Sequence, residues 1–118
     1  MRVLLADDEP KVRSALRLIL EQLKEVELVD EVTDAEGLND QLKNCPPDLL
    51  LVDLELPGLR TCGPLSDLHR YAPLKVIVLS GRCHNSAQMA QLPGADAFVS
   101  KCEPPDRLFA TLKAMGAD

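Results

Sequence analysis

Three apolar runs of only four residues constrain the fold of this chain more than any other feature of its sequence. They are Val3–Ala6, Leu49–Val52 and Val76–Leu79. Each run is too short for a helix and is bounded by polar residues. Because strands that are buried on both faces read as continuous apolar runs, these segments predict buried strands of a parallel sheet.

The segments between the first two runs have the periodicity of helices. Pro10 suits the first turn of a helix. The apolar face of that helix is predicted to be Val12, Ala15, Leu16, Ile19 and Leu23. A weaker apolar segment, Val26–Val32, mixes in acidic residues and predicts an edge strand. A second helix is expected to begin after Thr33 or Asp34 as its N-cap and to end before Pro46.

The rest of the chain continues this alternation. It predicts a third helix over Gly63–Tyr71, a fourth over Cys83–Leu92, a fifth strand over Ala95–Val99 and a last helix over Pro105–Met115. The apolar face of the last helix is expected to be Leu108, Leu112 and Met115. Five β-α units in 118 residues predict one doubly wound α/β domain over residues 1–118, with helices on both faces of a five-stranded parallel sheet.

Composition excludes several classes of function. The 13 Lys and Arg residues against 19 Asp and Glu residues give a net charge of −6, and only 3% of residues are aromatic, so this domain is not expected to contact nucleic acid. No apolar stretch is long enough to span a bilayer, and the N-terminus is unlike a signal peptide, which predicts a cytoplasmic protein without membrane contact. The four cysteines have neither redox-pair nor zinc-site spacing and are expected to be reduced thiols.

Polar residues follow the predicted strands at the edge where sheets of this kind bind ligands. The first strand is followed by acidic residues, the third ends in a carboxylate, the fourth in a hydroxyl, and the fifth leads to an amine. These residues are Asp7, Asp8, Glu9, Asp53, Ser80 and Lys101. Taken alone, any one of the acidic residues is more simply explained as a helix cap or a solvated loop charge. Agreement among four strand ends favours a site.

The residue types at this edge are those of phosphoryl chemistry. Carboxylates of Asp7, Asp8 and Asp53 that are held together repel one another unless a divalent cation lies between them. A ligand set made only of oxygen atoms favours Mg²⁺. An aspartate beside Mg²⁺, a lysine and a serine can attack a phosphorus atom, so the expected product is an aspartyl phosphate.

Four segments of the sequence occur in an order that is typical of one family. They are Leu4–Pro10, Asp48–Gly58, Val76–Gly81 and Gly94–Lys101. Together they resemble the motifs of response-regulator receiver domains, and the resemblance covers essentially the whole chain. It implies the receiver fold, with strand order 2-1-3-4-5, and a phosphoacceptor domain of a two-component system that is not an enzyme beyond its own phosphorylation and dephosphorylation.

The resemblance also implies roles for the acidic residues. Asp53 would accept a phosphoryl group from a phosphohistidine on a sensor histidine kinase. Mg²⁺ would be held by Asp8, Asp53 and the backbone carbonyl of Glu55, and by Asp7 through water.

Three further residues would respond to phosphorylation. Lys101 would pair with the phosphoryl oxygens, Ser80 would move to donate a hydrogen bond to one of them, and Phe98 would change rotamer behind Ser80. The added charge would bias two packings of the predicted fourth helix, fifth strand and last helix. That face is the expected output surface and a candidate homodimer surface.

The endings of two motifs, Leu56–Gly58 and Lys101–Leu108, are most similar to receivers of LuxR-type transcription regulators. The resemblance therefore predicts either transcription regulation through a DNA-binding domain outside these 118 residues, or a receiver that acts alone. Two positions depart from the family pattern: Arg60 lies in the loop after the phosphoacceptor, and Cys102 stands where many receivers have proline.

Three other classes of protein compete with this interpretation. A haloacid-dehalogenase phosphatase would carry Asp-x-Asp after its first strand, whereas this chain has Asp7-Asp8. A flavodoxin-like flavin binder would need a Ser/Thr/Gly-rich phosphate loop and flanking aromatic residues. A receiver-like interaction module that is not phosphorylated usually lacks an acidic residue or the lysine of the pocket, and both are present here.

Overall fold

A single parallel sheet with helices on both faces organises the molecule. The computed structural model describes residues 1–58, 74–80, 96–100 and 105–114. The strands are β1 (Arg2–Ala6), β2 (Leu28–Val32), β3 (Leu49–Asp53), β4 (Lys75–Ser80) and β5 (Ala97–Ser100). The helices are α1 (Pro10–Glu21), α2 (Ala35–Asn44) and α3 (Pro105–Ala114). The sheet order is β2-β1-β3-β4-β5, which confirms the predicted topology and places β2 at an edge.

The side chains of the central strands alternate between two apolar layers. Leu49 and Leu51 face the layer that α1 and α3 cover, whereas Leu50 and Val52 face the layer that α2 covers. All five residues of β3 are buried, because helices pack on both faces of this central strand. The apolar runs of the sequence therefore correspond to the strands that lie between two layers of side chains.

The second helix begins where its sequence predicts. Asp34 is the N-cap of α2, and its side chain accepts a hydrogen bond from the Gly37 N–H at 2.8 Å. The helix ends at Asn44, before the two prolines at 46 and 47.

The predicted apolar face of the first helix wrongly includes Ala15 and omits Leu20. Ala15 is exposed, whereas Leu20, which the prediction omitted, is fully buried. Leu20 lies one turn after the buried Leu16, while Ala15 lies about 100° around the helix axis from Leu16. Leu23 is buried as predicted, although α1 ends at Glu21.

The fifth strand is also shifted relative to its prediction. It spans Ala97–Ser100 rather than Ala95–Val99, because its register pairs Ala97 with Ile77 and continues to the pair of Ser100 with Ser80. In α3 the predicted residues Leu108 and Leu112 are buried. The predicted third helix, fourth helix and Met115 lie outside the described residues.

Candidate functional site

Two buried aspartates stand side by side at the carboxyl edge of the sheet. Asp53 is the last residue of β3, and Asp7 directly follows β1, whose Ala6 pairs with Val52 of β3. Asp7 is 1% exposed and Asp53 is 3% exposed. Burying an ionisable group among apolar strands costs free energy. The two aspartates therefore belong to the site at this edge and not to the apolar core.

Each of these aspartates holds the turn that follows it. Oδ1 of Asp7 accepts a hydrogen bond from the Glu9 N–H at 2.9 Å, and Oδ1 of Asp53 accepts one from the Glu55 N–H at 3.0 Å. This contact with the backbone two residues further on is the one by which aspartate stabilises tight turns. It fixes both carboxylates at the sheet edge while the chain turns away. Arg13 adds a further tie, because its Nη1 donates to the Asp7 carbonyl at 2.8 Å.

Four carboxylates meet at this edge. Asp7, Asp8, Glu9 and Asp53 each offer an oxygen atom, and these atoms all lie within 4.8 Å of one another. Asp8 and Glu9 are exposed, so the cluster opens to solvent above the two buried aspartates. Carboxylates this close repel, and a hard divalent cation with oxygen ligands, such as Mg²⁺, is the group that fits this donor set.

The structure brings together Asp7, Asp8 and Asp53, which the sequence predicts as metal ligands, and places a carboxylate oxygen of Glu9 beside them. The signal for Glu9 was its place in the acidic run after the first strand. The Glu55 side chain is exposed, and its N–H contacts Asp53.

The hydroxyl and aromatic residues of the predicted site lie on the neighbouring strands. Ser80 ends β4, beside β3, and is 1% exposed. Phe98 of β5 pairs with Val78, and its half-buried ring packs against the apolar layer on the α2 side. Lys101 lies outside the described residues, directly after Ser100, the last residue of β5.

Sheet order and site together define a class of protein: an α/β domain with a 2-1-3-4-5 parallel sheet and an acidic cluster at the carboxyl ends of β1 and β3. Residues 3–113 match the profile of the family described as "Response regulator receiver domain". The chain belongs to this family, the receiver domains of two-component response regulators, and the resemblance seen in its motifs is confirmed.

Curated relatives include transcription regulators and an enzyme. The chain is 34% identical to the transcriptional regulatory protein KdpE of Mycobacterium tuberculosis over 113 residues, which are 95% of this chain and 49% of KdpE. It is 26% identical to the DNA-binding transcriptional activator EvgA of Escherichia coli K12 over 116 residues, 97% of this chain and 56% of EvgA. A protein-glutamate methylesterase/protein-glutamine glutaminase of Geobacter sulfurreducens is 34% identical over 102 residues, 86% of this chain and 28% of the enzyme. The chain thus spans about half the length of the two regulators.

Solved structures agree with the fold. The isolated receiver domain of RcsB from Salmonella enterica serovar Typhimurium, in the presence of the phosphomimetic BeF₃⁻, has a TM-score of 0.83 and 30% identity, covering 98% of this chain and 87% of that one. A LuxR-family response regulator from Aurantimonas sp. SI85-9A1 has a TM-score of 0.81 and 25% identity, covering 97% and 83% of the two chains. Within the described part of the chain, no helix has the length and apolar character needed to cross a membrane.

Proposed function

We propose that residues 1–118 form one receiver domain whose Asp53 accepts a phosphoryl group from a phosphohistidine on a sensor histidine kinase. The observation that carries this proposal is the position of Asp53: 3% exposed, at the end of the central strand, within 4.8 Å of three other carboxylates. A carboxylate oxygen of Asp53 forms the new P–O bond as the P–N bond to the imidazole breaks. The imidazole leaves with the electron pair of that bond.

Backbone groups and side chains around Asp53 prepare it for this step. The hydrogen bond from the Glu55 N–H to Oδ1 fixes the orientation of the carboxylate. Asp8, Asp53 and the Glu55 carbonyl are the proposed direct ligands of Mg²⁺, with Asp7 acting through water. When bound, Mg²⁺ offsets the charge of the carboxylates and of the incoming phosphoryl oxygens.

Ser80 and Phe98 are the proposed switch residues. Ser80 ends β4, the strand adjacent to β3, and directly follows Leu79, which pairs with Asp53. Phe98 sits one strand further, at the edge of the sheet. Lys101 is proposed to neutralise the phosphoryl oxygens. The domain catalyses its own phosphorylation and dephosphorylation and no other reaction.

The output is proposed to be transcription regulation. KdpE and EvgA are regulators by name, and each is about twice as long as the stretch that this chain matches. A DNA-binding segment in the whole protein would then respond to the face made by the predicted fourth helix, β5 and α3, which would also form a homodimer. The receiver itself, with its net charge of −6, would not contact DNA, and the protein would be cytoplasmic.

Intact-mass spectrometry tests the phosphoacceptor directly. The wild-type protein, incubated with Mg²⁺ and acetyl phosphate, is expected to gain one phosphoryl group. Asp53→Ala is expected to gain none, and wild type without Mg²⁺ is expected to gain none. Asp48→Ala is the matched control, because Asp48 precedes the same strand at its other end. A folded wild-type protein that gains nothing would instead favour an interaction module that is not phosphorylated.

A further inference from the structure

The loop that follows the phosphoacceptor ends against the beginning of α2. This loop is residues 54–58, and its Pro57 carbonyl accepts a hydrogen bond from the Ala35 N–H at 2.9 Å. The next residue, Gly58, has a φ of +83°, and a Cβ added there would lie 3.3 Å from the Cβ of Ala35. The loop therefore contacts α2 at two successive residues, one through the backbone and one through close packing.

The other end of the same loop is held to the site. The Leu54 N–H donates to the Leu79 carbonyl of β4 at 2.8 Å, and the Glu55 N–H donates to Oδ1 of Asp53 at 3.0 Å. Leu56 is 3% exposed and anchors the middle of the loop in the apolar layer. A loop of five residues that is fixed at both ends and in the middle has little freedom. Leu56 alone separates Glu55 from Pro57 in the sequence, so the position of the α2 end of the loop bears on the position of the Glu55 carbonyl.

The beginning of α2 depends on the loop in turn. The first N–H groups of an α-helix have no acceptor within the helix and need one from outside. In α2 the Asp34 side chain serves Gly37, and the Pro57 carbonyl serves Ala35, the first helical residue. Ala35 is 2% exposed, so water is a poor substitute for that carbonyl.

We propose that Ala35 and Gly58 are positioning residues for the metal-binding loop. Mg²⁺ binding at Asp53 and Glu55 is then coupled to the hydrogen bond that the Ala35 N–H donates to the Pro57 carbonyl at the first turn of α2. This inference rests on the proposed function, because it concerns the same site. The coupling is reciprocal: a contact that lowers the free energy of the Mg²⁺-bound loop is itself strengthened when Mg²⁺ binds.

The variant Ala35→Pro removes the donor and leaves the helix intact. Proline is favoured at the first helical position. Asp34, with φ −151° and ψ 172°, already has the extended backbone that a following proline requires. The variant replaces the N–H that reaches Pro57 with a ring carbon. This change removes the hydrogen bond and also displaces the Pro57 carbonyl, because the ring carbon cannot fit between the nitrogen and an oxygen 2.9 Å away. By isothermal titration calorimetry, we expect its dissociation constant for Mg²⁺ to rise about 5-fold.

The variant Gly58→Ala tests the packing contact. An alanine at position 58 would be strained by the positive φ, and its Cβ would press on the Cβ of Ala35. We expect weaker Mg²⁺ binding, by about 5-fold or more. Adding Ala35→Gly to this variant removes the facing Cβ and is expected to restore part of the affinity, which a purely local effect of strain at Gly58 would not do.

Amide hydrogen exchange gives a readout that does not depend on phosphorylation. In wild type we expect Mg²⁺ to slow exchange of the Ala35 N–H by about 5-fold, as measured by NMR. The matched control is Ala110→Gly, an exposed position in α3. Glycine in a helix interior lowers stability, so this variant destabilises the protein without touching the loop, and it is expected to leave the affinity for Mg²⁺ unchanged.

The outcomes separate this inference from the proposed function. A wild-type protein that binds no Mg²⁺ and gains no phosphoryl group would overturn both. A wild-type protein that does both, with Ala35→Pro binding Mg²⁺ as tightly as wild type, would overturn the positioning role alone. Equal weakening of Mg²⁺ binding in Ala110→Gly would also overturn it, because general destabilisation would then account for the loss.

Discussion

The two edges of the sheet both carry aspartates and use them in different ways. At the amino edge, Oδ2 of Asp48 accepts a hydrogen bond from the Arg2 N–H at 2.8 Å, and Oδ2 of Asp96 accepts one from the Val76 N–H at 2.7 Å. Each aspartate directly precedes one strand and serves an N–H near the start of the neighbouring strand. Arg2 and Lys75 begin β1 and β4, so this edge also carries positive charge.

At the carboxyl edge, the aspartates are gathered together. Asp7 and Asp53 each use Oδ1 to hold the turn that follows, and their cluster with Asp8 and Glu9 places four carboxylates within 4.8 Å. Backbone polarity explains the difference. Parallel strands begin with N–H groups that need acceptors and end with carbonyls that need donors. At the amino edge each of the two carboxylates has its own donor, an N–H of the neighbouring strand. At the carboxyl edge Asp7 and Asp53 accept from the turns that follow them, and their crowding with Asp8 and Glu9 produces a repulsion that a divalent cation would offset.

The largest expected effect concerns that cation. If the carboxyl edge binds Mg²⁺, free Mg²⁺ at 100 times its dissociation constant should raise the free energy of unfolding of wild type by about 2.7 kcal/mol. Urea unfolding followed by far-UV circular dichroism measures this gain. In Asp8→Asn most of the gain should disappear at the same Mg²⁺ concentration, because a proposed direct ligand is lost.

The contrast between the edges is sharpened by Asp96→Asn in the same titration. That substitution removes one carboxylate from the amino edge, so the gain from Mg²⁺ should stay as large as in wild type. An equal loss of the gain in Asp8→Asn and Asp96→Asn would mean that Mg²⁺ acts on the overall charge and not on the cluster.

The next effect, at the amino edge, is a loss of stability without a change in metal binding. Asp96→Ala removes the acceptor of the Val76 N–H, and Val76 is fully buried. A buried N–H that loses its acceptor costs about 2 kcal/mol. Urea unfolding without Mg²⁺ should show this loss, and Asp96→Asn, which keeps a side-chain oxygen, should recover most of it. A loss of equal size in both variants would assign the effect to the charge of Asp96.

In the protein without metal, Asp53→Asn should change the free energy of unfolding in the opposite direction, toward greater stability. The amide keeps an oxygen for the Glu55 N–H and removes one charge from a cluster of four carboxylates. Relief of repulsion should raise the free energy of unfolding by about 1 kcal/mol at low salt. This gain in stability should shrink in about 0.5 M salt, because salt screens the exposed part of the cluster. An Asp53→Asn protein less stable than wild type would show that the carboxylates are not in conflict.

The sequence predicts the carboxyl edge well because that edge depends on local order. A short apolar run predicts a strand, the strand fixes where its end lies, and parallel pairing brings the ends of β1 and β3 together. Asp7, Asp8 and Asp53 could therefore be placed together without coordinates. The Asp34 cap of α2 was equally accessible, since it depends on a helix start that the sequence marks.

The amino edge and the α2 contact carry no such local signal. Asp48 and Asp96 find their donors in strands that are distant in the sequence, and the hydrogen bond between Ala35 and Pro57 joins residues 22 positions apart. Which backbone groups meet there depends on sheet register and loop path. The error at Ala15 has a local cause, because Leu16, Leu20 and Leu23 form the buried face of the first helical segment and Ala15 lies about 100° around the axis from Leu16.

The smallest expected effect separates the two aspartates of the amino edge from each other. Asp48→Ala removes the acceptor of the Arg2 N–H, but this contact is exposed, so water can replace it. The backbone of Asp48 still donates to the Arg2 carbonyl at 2.9 Å and accepts from the Lys75 N–H at 3.1 Å, and these bonds do not need the side chain. The free energy of unfolding should therefore fall by only about 0.5 kcal/mol, against about 2 kcal/mol for Asp96→Ala. Parallel urea unfolding of the two variants measures the ratio of the two losses. A loss for Asp48→Ala as large as that for Asp96→Ala would mean that burial of the donor does not set the strength of these hydrogen bonds.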